Sequence, residues 1–454
     1  MPLIPAFVHR RIAHRPKLVK IVDNIGWLFF DKVLRMGVGL IVGVWIARYL
    51  GPEQFGLLSF AIAFVGLFGA IATLGLQGIV VRDIVRDPDS KEQTLGTAAA
   101  LLFFGGLLSY GLIVATIFWI RADDTLAKGI VAILGSIVLF KVSDVAVYWF
   151  ESQVMSKYTV WVQNGGFLAF AAIKVGLIIM DAPLIAFAWA MMGEAAVVAM
   201  LLLVMLGLRG PRLRQLSVAA KRAKSLLINS WPLMLSGLAV VIYMKIDQIM
   251  LGQMLGDQAV GIYSAAVRLS EVWYFVPVVI AASVFPAILE AKNRSEELYY
   301  KRLQHLYDLM VWVALIIALP LTFLSTPVVT LLFGPEYVSS GPVLALHVWS
   351  AVFVFLLVAS GKWLIAENLQ YVALQRNLLG LASNVVFNLF LIPRFGVVGA
   401  ASATIVSYSI AAFFADALSR TTRRTFWMKL RSFNVARGFY VVPILWNIAV
   451  RQWK

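Results

Sequence analysis

Twelve charged residues sit inside long apolar stretches and are the side chains best placed to do chemistry: Asp31, Lys32, Arg35, Lys141, Asp144, Lys174, Glu194, Lys245, Asp247, Arg268, Glu271 and Lys362. A charge held in hydrocarbon costs about 2.5–3.5 kcal/mol or more at a helix centre, so such groups face a wet cavity or one another. Helical spacing sorts them. Asp31 with Arg35, Lys141 with Asp144, and Arg268 with Glu271 stand three or four positions apart, so each pair can share a helix face and partly neutralise itself. Lys245 and Asp247 are two apart and point to roughly opposite faces, so each needs an outside partner or water. Lys174 and Lys362 have no acid at helical spacing; snorkelling accounts for both, toward the inner headgroups for Lys362 and outward for Lys174.

Seven bases against five acids leave this set an excess of about two positive charges. A cavity with surplus cations favours an anion, and a diphosphate suits it, with Arg making bidentate contacts and Lys acting as a point charge. The candidate substrate-binding residues are therefore Arg35, Lys141, Lys174, Lys245 and Arg268. The candidates for coupling to a proton or ion are Asp31, Glu194, Asp247 and Glu271. Glu194 and Asp247 lead that group, because a carboxyl in a low-dielectric site can exchange protons near neutral pH.

The elements that must position these residues are membrane-spanning helices. Of 454 residues, 61% are hydrophobic and only 14% charged, far from the balance of a soluble domain. About twelve apolar stretches are long enough to cross about 30 Å of hydrocarbon. They run over residues 26–49, 55–81, 94–120, 126–150, 158–180 and 184–208, then 226–255, 260–289, 307–326, 341–365, 371–392 and 397–418. The fold class expected is all-α: a polytopic bundle of two six-helix lobes. An apolar patch from Phe439 to Val450 is too short to span and fits the interface.

The two lobes are written as a repeat. LGPEQFGLLSFA from Leu50 and LGDQAVGIYSAA from Leu255 share the frame L-G-x4-G-x2-S-x-A, about 205 residues apart. Gly51, Gly56, Gly256 and Gly261 suit a tight turn and close helix approach, and Ser59 and Ser264 suit a helix contact, so the repeat marks architecture. Two related lobes that rock against each other suit a carrier better than an enzyme or receptor. The aromatic residues Trp45, Tyr49, Trp119, Trp149, Trp161 and Trp231 lie near span ends as interfacial anchors.

Lys and Arg concentrate in alternate connections, including Arg209–Lys224 between the lobes and Arg420–Arg431 after the last span, which places both termini and these segments inside. The division expected is a basic N-terminal segment, 1–25; a first lobe, 26–208; a basic linker, 209–225; a second lobe, 226–418; and a basic tail with an interfacial segment, 419–454. The +16 formal charge is thereby topological and faces anionic headgroups, so nucleic acid is excluded as a partner. Cysteine is absent, which excludes thiol chemistry, and the basic N-terminus followed by a long apolar stretch does not read as a cleavable signal.

No G-x4-G-K-[ST] phosphate loop is present, which argues against direct ATP hydrolysis. Asp87, Pro88 and Asp89 mimic a metal-binding D-x-D but read as a short charged loop on the inner side. A polytopic glycosyltransferase or polymerase would need reactive residues on a substantial outer loop, and the longest, 327–340, offers only Glu336. No cofactor and no metal is expected. A multidrug antiporter stays open as an alternative; it would present excess carboxylates and select cations.

The segment WIARYLGPEQFGLLSFAIAFVGLFGAIATLGLQGIVVRDIVRDP from Trp45 to Pro88 resembles the opening of the O-antigen and exopolysaccharide flippases. These belong to the superfamily of multidrug, oligosaccharidyl-lipid and polysaccharide exporters. YMKIDQIMLGQMLGDQAVGIYSAAVRLSEVWYF from Tyr243 is similar to that family's seventh and eighth helices, and LLFGPEY from Leu331 and PRFGVVGAASAT from Pro393 to its later segments. The resemblance implies six plus six helices around a central cationic cavity. It implies transfer of an undecaprenyl-diphosphate-linked oligosaccharide from the cytoplasmic to the periplasmic leaflet of the bacterial inner membrane, for O-antigen or exopolysaccharide assembly. It also implies a proton or sodium gradient as a driving force in some members, and a polysaccharide polymerase and chain-length regulator as partners. Lys245, Asp247 and Gln248 in KIDQ match the family most readily.

Overall fold

The computed structural model describes residues 16–437, all of its regular structure helical. The basic run at Arg10–Arg15 and the apolar patch at Phe439–Val450 lie outside these residues. Sixteen α-helices follow in order: α1 (Pro16–Thr73), α2 (Gln77–Arg86), α3 (Lys91–Ile120), α4 (Thr125–Gly135), α5 (Asp144–Ser152), α6 (Lys157–Ile179), α7 (Leu184–Arg209) and α8 (Ala220–Met254), then α9 (Asp257–Glu271), α10 (Phe275–Lys292), α11 (Glu296–Phe333), α12 (Ser340–His347), α13 (Ser350–Ala366), α14 (Gln370–Ser409), α15 (Ala415–Leu418) and α16 (Arg423–Ser432). Short 3-10 or π turns join several of them end to end, so α9 runs on into α10 through Val272–Tyr274.

Among the described residues ten continuous helical stretches are long and apolar enough to cross a membrane. In hydrocarbon the backbone must bond to itself, and apolar runs of this length therefore become helices whatever their local propensity. The two longest, of 65 and 49 residues, far exceed the about 20 needed for one crossing. Each bends at a glycine with positive φ, Gly51 (70°) in α1 and Gly396 (60°) in α14, between the paired stretches read from sequence. Leu74 and Gly75, also at positive φ, end α1 before α2 begins. The connection expected over 327–340 is shorter than the sequence suggests, because α11 continues to Phe333 and is stopped by Gly334 at φ 98°. Pro320 and Pro327 lie inside that helix, as membrane helices tolerate.

Two compact units form: residues 1–50 with 57–241, and residues 51–56 with 242–454. One seam falls between Val241 and Ile242, inside α8. In the first unit the core gathers Leu76, Val80, Ile84, Leu95, Leu102, Phe150 and Leu206. Trp149 packs against this core rather than standing free, whereas Trp45, Trp119, Trp161 and Trp231 are exposed as interfacial anchors would be. In the second unit Tyr307, Met310, Val311, Phe355, Leu356 and Trp363 form the centre.

The repeat glycines do what their spacing suggests. Gly51 and Gly256 both take positive φ at the turn, a backbone state closed to most side chains. Gly56 lies so close to Asp257 that a Cβ would overlap its carbonyl oxygen, and Gly261 lies equally close to the carbonyl of Pro52.

Candidate functional site

The first unit holds three ion pairs from the expected set. Arg35 Nε donates to Asp31 Oδ1 at 2.8 Å on α1, as spacing indicated, and also to Asn164 Oδ1 on α6 at 3.2 Å. The guanidinium lies 5.5 Å from the Phe167 ring centre. Lys141 and Asp144 stand 3.6 Å apart where the 3-10 turn meets α5. Lys174 departs from the snorkelling expectation: its Nζ donates to Glu194 Oε2 at 2.7 Å, across from α6 to α7. The partner comes from the next helix, which spacing within one helix does not reveal.

The second unit holds the rest. Lys245 and Asp247 point to opposite sides of α8 and find different partners, as their two-residue spacing requires. Lys245 Nζ stands 3.8 Å from Glu271 Oε2 on α9. Glu271 is therefore paired across helices, and no hydrogen bond joins it to Arg268, three positions before it. Arg268 turns instead toward Phe55. Its guanidinium lies 5.5 Å from the Phe55 ring centre, and its Nη1 is buried with no hydrogen-bond partner.

Asp247 is buried and meets only neutral groups: Tyr263 Oη donates to its Oδ2 at 2.9 Å, Thr404 Oγ1 to the same oxygen at 2.6 Å, and Asn388 Nδ2 to Oδ1 at 2.5 Å. Asn388 also donates to Asn384 Oδ1 at 2.9 Å, and Asn384 Nδ2 donates to Ser407 Oγ at 3.2 Å. Asn388 Oδ1 is left buried without a partner. A buried carboxylate that accepts from two hydroxyls and an amide nitrogen, with no hydrogen-bonded cation, can take a proton. The neutral members of this ring carry no charge signal, though Asn384 and Asn388, four apart in an apolar stretch, mark one polar helix face.

Sequence reading also passed over charges at the end of the last two spans. Asp416 pairs with Arg376 from α14 and with Lys429 from α16, the latter at 2.8 Å, and accepts from Thr425 Oγ1 at 3.0 Å. Arg376 and Asp416 lie within apolar stretches, which is the signal that would have found them. Their charges cancel, so the surplus in the expected set is unaffected. Lys429, grouped by sequence with the exposed basic tail, is fully buried; burial, reinforced by the Arg376 guanidinium, pushes its ammonium well below the ordinary lysine range. Outside the spans, Glu367 accepts from Lys292 at 2.8 Å and from Tyr299 at 2.7 Å. Burial alone would raise its carboxyl, but these hydrogen bonds and the Lys292 charge hold it below the usual value.

Ten membrane-length helical stretches, with charged groups paired between neighbouring helices, define a multi-pass membrane protein. The comparisons make the class specific. The chain belongs to the polysaccharide biosynthesis protein family, whose pattern matches residues 21–292. A probable flippase, AglR, of Haloferax volcanii is 24% identical over 404 residues, covering 85% of this chain and 81% of that protein. Among solved structures, the lipid II flippase MurJ in an inward closed conformation aligns with a TM-score of 0.71 at 15% identity, over 95% of this chain and 99% of that one. An inward-facing multidrug resistance MATE family transporter aligns at 0.66 and 14% identity, over 88% and 94%. Both structures share the fold, and fold alone does not choose between their substrates.

Proposed function

We propose that this transporter flips a polyprenyl-diphosphate-linked oligosaccharide repeat unit from the cytoplasmic to the outer leaflet of a bacterial inner membrane. The product would serve O-antigen or exopolysaccharide assembly. The observation that carries the anionic substrate is Arg268: a cation in a membrane helix whose Nη1 is buried without an acceptor, beside the loose 3.8 Å pair of Lys245 and Glu271. A diphosphate oxygen supplies the missing acceptor, and a second can draw Lys245 from Glu271. Arg35, Lys141 and Lys174 are the corresponding cations of the first unit, each neutralised until an anion competes for it.

Asp247 serves as the coupling group, with a proton or sodium ion entering among Thr404, Asn388 and Tyr263. Asp31, Glu194 and Glu271 are secondary candidates, since each would be released when its cation turns to the substrate. A polymerase and chain-length regulator would consume the product on the outer side. Both termini face the cytoplasm in this reading, as the basic segments indicate.

The test is leaflet exchange in proteoliposomes with a labelled polyprenyl-diphosphate oligosaccharide, comparing wild type with Arg35→Ala and Lys245→Ala. Exchange that requires both cations, with folded protein recovered in each case, is expected. Full exchange by Lys245→Ala removes that residue from the site. Absence of exchange by folded wild type, together with uptake of a cationic drug, replaces the flippase with an antiporter.

A further inference from the structure

Helix α16 buries polar groups beside Met428 and leaves large apolar ones outside. Its buried face carries Thr425, Met428, Lys429 and Ser432, while Arg424, Trp427, Leu430 and Arg431 are exposed. The inward polar groups are satisfied: Lys429 and Thr425 by Asp416, and Ser432 Oγ by Gln304 Nε2 at 2.9 Å. An ordinary surface helix keeps its large apolar residues on the core side and a polar face to water, whereas this one also carries apolar residues outward. Trp427 is 52% and Leu430 43% exposed, flanked by arginines and close in sequence to the end of the last apolar stretch at Leu418. Tryptophan, leucine and arginine on one outward face suit the boundary between headgroups and acyl chains.

A cavity of about 860 Å³ opens between this helix and the polar start of α11. Its charges are not equally free. Arg424 pairs with Glu296 at 2.9 Å and lies 3.3 Å from the Tyr300 ring centre, while Arg437 pairs with Asp308 at 3.2 Å. Lys301 and Arg431 also line it, are exposed, and form no ion pair among the described residues. Glu297 on the rim does not cancel both.

We propose that this cavity binds the phosphate headgroup of an anionic bilayer phospholipid through Lys301 and Arg431, with Trp427 and Leu430 lying among its acyl chains. The two unpaired cations match the phosphate, and the outward apolar residues match the chains, which a free phosphate lacks. Lys429 then acts as the pin: by bonding Asp416 at the end of the last spanning stretch, it holds α16 with its apolar side outward.

The test is native mass spectrometry of the full chain released from vesicles of phosphatidylglycerol and phosphatidylcholine, counting retained lipid. Wild type is expected to retain phosphatidylglycerol selectively. A basic residue near an anionic surface is worth roughly a fivefold change in binding, so Lys301→Ala with Arg431→Ala should lower retention by roughly twenty-fivefold. Arg394→Ala, an exposed cation beside the bend at Gly396, should leave it unchanged. Trp427→Ala should weaken retention at an unaltered thermal midpoint. Equal retention of phosphatidylglycerol by the double variant overturns the assignment, as does retention of phosphatidylcholine to the same extent. Soluble glycerophosphate that competes as strongly as the lipid overturns the bilayer as the source.

Discussion

Asp247→Asn and Asp247→Ala separate the charge of this residue from its place in the hydrogen-bond ring. The carboxylate accepts three hydrogen bonds, from Tyr263, Thr404 and Asn388. Bonds to a charged group contribute about 1.5–3 kcal/mol each and neutral ones about 0.5–1.5. Asparagine keeps the shape and replaces one acceptor by a donor. Asn388 can meet that donor by turning its amide, because its own Oδ1 has no partner to lose. The turn carries on to Asn384 and costs about one hydrogen bond along the line to Ser407, so Asp247→Asn should lose roughly 2–3 kcal/mol and still fold. Alanine removes every acceptor; Tyr263 and Thr404, 3.1 Å apart, can then bond each other, which limits the loss to roughly 3–5 kcal/mol. The assays are thermal unfolding in detergent and leaflet exchange under imposed proton or sodium gradients. Asp247→Asn should remain folded yet lose the response of exchange to the gradient. Gradient-driven exchange by Asp247→Asn at the wild-type level refutes the role of the charge, and a loss of stability equal to that of alanine refutes the amide relay.

At the repeat turns, Gly56→Ala or Gly261→Ala places a methyl group on a backbone carbonyl that cannot move aside, and the yield of monodisperse protein by size-exclusion chromatography should collapse; Gly37→Ala, with open space around it, should be neutral. Asp416→Ala leaves two buried cations without their acid and should cost about 3–5 kcal/mol, read as a lower thermal midpoint with early proteolysis after α15. Glu367 has its folded value held below the ordinary 4.5, so its contribution is present above that value and is lost as pH falls through the folded one. Glu367→Gln should therefore lower stability at neutral pH and flatten the acid side of the profile below about pH 4.5, where wild type loses the same contribution.

What sequence shows of this molecule follows the physics that each feature depends on. Helices in apolar stretches, the breaks at Gly51 and Gly396, and the Asp31–Arg35 and Lys141–Asp144 pairs depend on local spacing and were legible from it. Lys174–Glu194 and Lys245–Glu271 join different helices, and no periodicity within one helix specifies its neighbour. At Glu271 the ion pair goes to Lys245 of a neighbouring helix, a competing charge that spacing within one helix does not reveal. The ring around Asp247 was hidden because asparagine, threonine and tyrosine are ordinary in membrane helices and become a site only by converging.

The contact between the two copies of the repeat is isologous. Gly56 of the first copy meets the second copy at Asp257, and Gly261 of the second meets the first at Pro52, the equivalent position. A pair of identical subunits related by a two-fold axis makes this kind of contact, each patch serving as its own partner. Both contacts fall within the second compact unit, which takes residues 51–56 from the first copy. A change made in one glycine would not be relieved by enlarging the other, because each socket is closed by backbone.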